Sequence, residues 1–426
     1  MYKAPRGTAD ILPSEQKYWH YIESTARFLG QRYGYSRLDT PTFERTNLFV
    51  RGVGQGTDIV EKEMYSFEDK GGESLTLRPE GTAPVLRAYL EHGMNNLPQP
   101  VRLYYFSPAF RYERPQAGRF RQHKQFGVEN LGDSDPSVDA EIIHMAWQLM
   151  SDLGLKDLKL ILNSIGDANC RPSYLESLKI YYADHIEELC PDCRQRIERN
   201  PLRLLDCKQI RCSALAGDAP KTTDYLCLDC QDHWDKLIMY LKKLEMPFNL
   251  EHRLVRGLDY YTRTVFEIQP PEEGSQSTIC GGGRYDGLMR ELDGPDTPGI
   301  GFAVGLERIV LNLKRQNVIV PEQDIVSAVI VHLGDAAKQE ALLLATSLRK
   351  GGLGVVLAPS GRSLKSQLRY ANSLKSPYSL IIGEEEIEKH SVILKDMAKG
   401  DQKEVPASAI IEELGLATDN SSTKTR

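Results

Sequence analysis

Between Ser14 and Tyr33 the apolar positions Trp19, Ile22, Ala26, Leu29 and Tyr33 recur at steps of three and four, and Gly34 follows them. That spacing lines one face of an α-helix and the glycine marks its stop, so the segment predicts an amphipathic helix packed on a core. Further along, VRLYYF (101–106) and QFGVENL (125–131) read as strands, with the basic segment RYERPQAGRFRQHK between their neighbourhoods. The pattern predicts a long hairpin with a charged tip. Asp135-Pro136 then has the chemistry of an N-cap followed by proline at the first helical position. Val138, Ile142, Met145, Ala146, Leu149 and Leu153 line one face of that helix.

From about Cys170 to Asn249 the pattern changes: strand signals thin out, helical stretches such as WDKLIMYLKKL take over, and seven of the eight cysteines fall here. A separate small insert is the natural reading. Strands return with TVFEIQ (264–269) and GIGFAV (299–304), the second leading into the helical run GLERIVLNLKRQ, so the insert splits a sheet. After Pro321, VSAVIVHL, VVLAP and YSLIIG are short buried-strand runs separated by the helical stretches AKQEALLLATSLRK and LKSQLRYANSL. The expected division is a first domain made of 1–168 and 250–322, a cysteine-rich, mainly helical insertion at 169–249, a compact α/β domain at 325–416, and a disordered polar tail at 417–426.

A length of 426 residues agrees with about three domains. The formal charge of -6 excludes a globally basic nucleic-acid coat, so any RNA contact must come from local basic patches. No apolar run approaches the ~20 residues of a membrane span. The N-terminus MYKAPRGTADILPSEQ lacks the apolar core of a secretory signal, which points to the cytoplasm. Eight cysteines are too sparse for a disulfide scaffold.

Arg111, Arg114, Arg119, Arg121 and Lys124 face a single acid, Glu113, in a fourteen-residue window. Guanidinium forks bind phosphoryl oxygens two at a time, so the cluster suits phosphate; the bland alternative is a hairpin tip facing water. In RGLDYYTRTVFE (256–267), Arg256, Asp259, Arg263 and Glu267 interrupt what would otherwise be a core strand, and such charges need a ligand or partners. Glu80 and Thr82 in RPEGTA could point into one pocket and bind an ammonium group, or could merely cap a helix. Gly281-Gly282-Gly283 permits close approach to a ligand with Arg284 at hand, though glycine runs are usually turns. Neither a P-loop nor a G-x-G-x-x-G is present. Cys190, Cys193, Cys227 and Cys230 form two C-x-x-C pairs, but 33 residues separate them and Cys207 and Cys212 lie between. Bound Zn²⁺ and reduced, unligated thiols both remain open.

RGLDYYTRTVFE and GGGRYDGL are similar to two signatures peculiar to the histidine enzyme, while RLDTPTFE, FRYERPQAGRFRQHKQFGVEN and GIGFAVGLERI are similar to three class motifs. In this order, and from about Tyr2 to Leu416, the chain resembles the class II histidyl-tRNA synthetase family of bacterial type. The resemblance implies an α+β catalytic domain, with an antiparallel sheet flanked by helices, and a C-terminal domain that reads the anticodon. It implies a homodimer with Pro41 near the interface, and as reactants L-histidine, ATP with Mg²⁺, and tRNA(His). The histidine carboxylate would attack the α-phosphorus of ATP to give histidyl-adenylate, and a ribose hydroxyl of the tRNA would then take the acyl group.

By the same resemblance Arg111 and Arg256 are catalytic and flank the α-phosphate and the substrate carboxylate. Arg121 and Arg308 hold the outer phosphates. Glu80, Gly81, Thr82 and Gln125 surround the α-ammonium, while Glu129, Tyr260 and Tyr261 read the imidazole. Gln116 touches the acceptor end of the tRNA. Two rivals are an RNA-binding module without catalysis and a catalytically silent synthetase-like subunit that senses histidine or regulates another enzyme. Arg256 and the domain after Pro321 favour the enzyme over the silent subunit, and an RNA-binding module does not explain the histidine-type pocket residues.

Overall fold

The first helix, Gln16–Arg32, buries Trp19, Ile22, Ala26 and Leu29, the face that the spacing marks. It lies over an eight-stranded sheet in a computed structural model that describes residues 2–116, 118–271, 278–322 and 326–414. The tail expected at 417–426 falls outside the described residues. The chain forms two compact units, Met1–Pro321 and Glu322–Arg426.

In the first unit the strands run in the order Ser36–Arg37, Val101–Phe110, Gln122–Leu131, Gly299–Gly305, Cys280–Arg284, Thr262–Gln269, Lys159–Ser164 and Asn249–Leu250. All neighbours are antiparallel except the outermost pair at each edge. The expected hairpin forms, and its strands are longer than the apolar runs suggested: Val101 faces Leu131 and Phe110 faces Gln122. His123, Lys124 and Gln125 therefore project from a strand, while Arg111, Arg114, Arg119 and Arg121 lie in the connection at the tip.

Alternation along each strand gives the sheet two apolar faces. One holds Phe126, Phe266 and Phe302 against the helices Gln16–Arg32, Pro136–Asp152, Leu228–Lys243 and Leu306–Arg315. Asp135 caps the second of these helices by accepting from the Ser137 amide at 2.8 Å. The other face packs Tyr105, Leu131 and Val265 against Leu86 and Tyr89, and against Tyr174, Leu178, Tyr182 and Leu204 of the cysteine-rich segment. That helical segment contributes to both cores.

The triple glycine is a central strand and not a turn. A side chain at Gly282 would meet the Phe266 ring at 2.7 Å, so only glycine lets the neighbouring strands close over it. Nor does Arg284 face a ligand: it is fully buried and bonds the equally buried Asp139. His233 adds a bond to Asp139 at 3.2 Å. Burial pushes the Asp139 carboxyl up, but the Arg284 guanidinium and the His233 bond outweigh it and hold the group below the ordinary range. Replacing Arg284 by Met should cost about 3–5 kcal/mol, because it leaves a buried carboxylate without its counter-charge. The shift of the urea unfolding midpoint measures this.

The second unit carries a five-stranded sheet in the order Val355–Leu357, Ala328–His332, Tyr378–Ile382, Ser391–Asp396 and Gln402–Pro406. The first three strands are parallel and were legible as apolar runs, since helices cover both their faces. The last two are antiparallel additions. Gln402–Pro406 buries only Val405, which explains why no apolar run announces it.

Candidate active site

Ten of the expected residues line one cavity in the first unit: Glu80, Gly81, Thr82, Arg111, Gln125, Glu129, Arg256, Tyr260, Tyr261 and Arg308. They come from segments far apart in the chain, gathered because the strand 122–131 pairs with 299–305, which in turn pairs with 280–284.

At one end of the cavity lies an acid surrounded by hydroxyl groups. Glu129, 1% exposed, accepts from Thr82 Oγ1 at 2.8 Å and from Tyr105 OH at 3.3 Å, with Tyr285 OH bonded to its other oxygen. Burial pushes its carboxyl up to about 8, against the pull of the Tyr285 and Thr82 bonds. The Tyr260 and Tyr261 rings stack beside it with centroids 4.7 Å apart. Glu80 caps a helix and also faces the cavity. Its carboxylate caps the helix Thr82–Glu91 by accepting from the amides of Thr82 at 2.6 Å and Ala83 at 2.8 Å, and it lines the cavity as well. Burial raises its pKa too, partly offset by those amides and by Arg111. Gln125 Oε1 is buried with no partner among the described residues, an acceptor free for a ligand's N–H.

Arginines crowd the other end. Arg256 is ion-paired to Glu267, and that carboxylate is itself held by Thr278 Oγ1 at 2.6 Å and Gln269 Nε2 at 3.1 Å. Its guanidinium occupies the space a side chain at Gly281 would fill, and its Nε has no partner among the described residues. Arg111 donates from Nε to the Pro79 carbonyl at 2.8 Å. Arg308 is anchored by Nε on the Gly118 carbonyl at 3.0 Å and by Nη1 on the Thr278 carbonyl at 2.6 Å. Burial lowers the Arg308 pKa, and the charges of Arg119 and Arg111 lower it further. Cations held together against their own repulsion form a site for an anion.

Two expected residues are placed elsewhere. Arg121 does not line the cavity; its guanidinium lies 3.8 Å over the Tyr112 ring and its Nε donates to the Glu113 carbonyl at 3.3 Å. Gln116 pairs through its backbone with Arg119 at the hairpin tip, also outside the lining. Conversely, Tyr105, His123 and Tyr285 line the cavity and were not singled out in the sequence, and Arg119 of the basic cluster lines it as well. Tyr105 and Tyr285 hide inside an apolar run and a glycine motif. The signal that could have found Tyr105 is its cross-strand partner Gly127, where any side chain would collide with the phenol ring. His123 is pushed down to about 3 by burial and then by Arg111 and Arg308, and so stays neutral beside them.

The cysteines correct the sequence expectation. Cys190, Cys193, Cys227 and Cys230 do not converge on one centre: the first two meet Cys207 and Cys212, and the last two meet Asp167 and Cys170. Spacing alone hid this because the partners come from intervening and preceding segments.

A family model described as histidyl-tRNA synthetase matches residues 7–176 and 214–309, and one described as an anticodon binding domain matches 327–415. A histidine–tRNA ligase of Dehalococcoides mccartyi is 54% identical over 97% of this chain and 99% of its own. That of Geobacillus thermodenitrificans is 50% identical over 96% of this chain and 98% of its own. The crystal structure of apo S. aureus histidyl-tRNA synthetase superposes with a TM-score of 0.82 at 39% identity, covering 97% of this chain and all of that one. With the antiparallel sheet and the gathered arginines, these likenesses define the class: an aminoacyl-tRNA synthetase of class II. Within that class the matched family model and relatives narrow the choice to one amino acid. The chain belongs to the histidyl-tRNA synthetase family.

Proposed function

We propose that this cavity joins L-histidine to ATP as histidyl-adenylate, releasing pyrophosphate, and then passes the histidyl group to tRNA(His), releasing AMP. The observation that carries the reading is one cavity with a buried carboxylate among tyrosines at one end and unpartnered or repelling arginines at the other. A neutral imidazole needs one acceptor and one donor, which Glu129 and the phenols of Tyr260 and Tyr261 can supply. Glu80, Thr82 and the free Gln125 oxygen suit an ammonium group, with Gly81 leaving room at the helix start. Arg256 and Arg111 would then flank the carboxylate and the α-phosphate, where both steps gather negative charge, and fixed cations in a dry site stabilise such charge without reorganising.

Arg308, with Arg119 beside it, suits the outer phosphates, and Mg²⁺ bound to those phosphates would share their charge. Arg121 enters this reading only if the hairpin tip moves off Tyr112, and Gln116 at that tip is placed to meet an incoming acceptor end. We further propose a cytoplasmic homodimer with Pro41 near its interface, a reading supported by the family likeness. Among the described residues no helix is long and apolar enough to cross a membrane. A silent sensor subunit would have no need of a tethered Arg256 or of the anticodon-type unit.

The test is aminoacylation of total tRNA with each of the twenty amino acids: histidine alone should be charged, and preferential charging of another would overturn the reading. Ending the chain at Pro321 should leave histidine-dependent pyrophosphate exchange measurable. Anticodon contacts worth even about 1.4 kcal/mol would make tRNA charging fall about tenfold in that truncated chain. Equal loss of both activities would assign the second unit a structural role instead.

A further inference from the structure

Two sulfur-rich clusters lie outside the cavity. In one, the sulfurs of Cys190, Cys193, Cys207 and Cys212 are all within 4.8 Å of one another; in the other, so are the ligand atoms of Asp167, Cys170, Cys227 and Cys230. We infer that these are two separate tetrahedral zinc sites, one of four thiolates and one of three thiolates and a carboxylate.

The spacing fits a shared metal. Sulfurs ~2.3 Å from a tetrahedral Zn²⁺ stand about 3.8 Å apart, and Cys190 Sγ lies 3.9 Å from Cys207 Sγ. A disulfide needs ~2.05 Å, and all eight cysteines are free. Each cluster also shows backbone N–H groups aimed at sulfur: the Cys190 amide donates to Cys212 Sγ at 3.2 Å, and the Asp167 amide to Cys170 Sγ at 3.3 Å. Bonds of this kind favour the thiolate that a metal requires. Gly166 precedes Asp167 with φ +65, and a side chain there would sit 2.7 Å from Cys170 Sγ. The turn that presents Asp167 and Cys170 together is thus built for glycine.

Thiols packed as small hydrophobes do not account for these features. Asp167 Oδ1 holds the local turn by accepting from the Asn169 amide at 2.9 Å, but hydrophobic packing gives no reason for that carboxylate to stand 3.5 Å from Cys170 Sγ and 3.9 Å from Cys227 Sγ. A divalent cation does. Three thiolates and a carboxylate around Zn²⁺ carry a net charge of about -2, and Arg263, 3.5 Å from Asp167 Oδ2, partly balances it.

The second site also touches the segment that carries Tyr260 and Tyr261 into the strand Thr262–Gln269. Gly166 O accepts from the Arg263 amide at 2.7 Å, Arg263 O accepts from the Ile165 amide at 2.8 Å, and Arg171 Nη2 donates to Tyr261 O at 2.6 Å. A metal bound through Asp167 and Cys170 ties this turn to the helix Leu228–Lys243, whose first turn carries Cys230, and so steadies the Tyr261 backbone. This last step rests on the proposed histidine pocket, whereas the metal assignment does not.

The experiment is elemental analysis of the full-length chain purified without added metal or chelator. It should hold about two zinc ions per chain, and Cys212→Ser and Cys170→Ser should each hold about one. The cobalt(II)-substituted Cys212→Ser and Cys170→Ser chains should give different d–d spectra, because each keeps a different donor set. Wild-type content of about one ion or fewer overturns the assignment, as does either substitution emptying both sites. If a serine variant fails to fold, Asp167→Asn and the wild-type count decide. Loss of histidine activation in a chain that still holds both metals would count against the pocket reading and leave the metal sites standing.

Discussion

Substituting Arg256 by Ala should slow histidine-dependent pyrophosphate exchange by about 10²–10³-fold, the usual cost of removing one preorganised cation from a site of developing negative charge. The preorganisation is visible around it. Glu267 holds the guanidinium from one side and is itself fixed by Thr278 and Gln269, so the side chain needs no reordering when substrate arrives. Gly281 leaves the space that the guanidinium fills, and the Arg256 Nε, without a partner among the described residues, is where a negative oxygen can be met. Arg256→Lys should recover only part of the loss, since an ammonium keeps the charge but not the planar fork. Exchange by the Ala variant within a factor of about two of wild type would remove Arg256 from the chemistry.

Much of this architecture was legible because burial leaves a pattern. Trp19, Ile22, Ala26 and Leu29 recur with helical spacing and mark one buried face, whereas 101–106 and 125–131 read as strands from runs buried on both faces. The family likeness drawn from RGLDYYTRTVFE and GGGRYDGL was borne out by relatives matched over nearly the whole chain. The resemblance, taken over all its motifs, named ten of the residues that line the cavity, and RGLDYYTRTVFE supplied three of them, Arg256, Tyr260 and Tyr261.

What stayed hidden depends on which distant segments meet. Arg284 looked available to a ligand because nothing in its own segment shows Asp139 rising from another helix to neutralise it. The C-x-x-C pairs looked like one quartet because local spacing cannot reveal that Cys207 and Cys212 fold back on the first, or Asp167 and Cys170 on the second. Tyr105 and Tyr285 passed for core aromatics, and they largely are; only the fold shows their hydroxyls meeting on Glu129.

Replacing Glu129 by Gln should lower kcat/KM for histidine about 10²–10³-fold, or about 3–4 kcal/mol. The carboxylate accepts from Thr82, Tyr105 and Tyr285 at once, and an amide presents an N–H to one of these donors while losing the charge that an imidazole N–H would meet. A second consequence follows from its acidity. Burial raises the Glu129 carboxyl to about 8 in the folded chain, well above the ~4.3 of an unfolded glutamate. The folded state therefore binds that proton more tightly, and the stability it contributes is complete below the unfolded value and is lost as pH rises through the folded one. The empty wild-type chain should thus lose thermal stability between about pH 5 and pH 8 relative to Glu129→Gln, which carries no proton to lose. Bound histidine should narrow that difference, because an imidazole N–H facing the carboxylate favours its ionised form. A Gln variant with histidine kcat/KM within about threefold of wild type and the same stability profile across this range would deny Glu129 both roles.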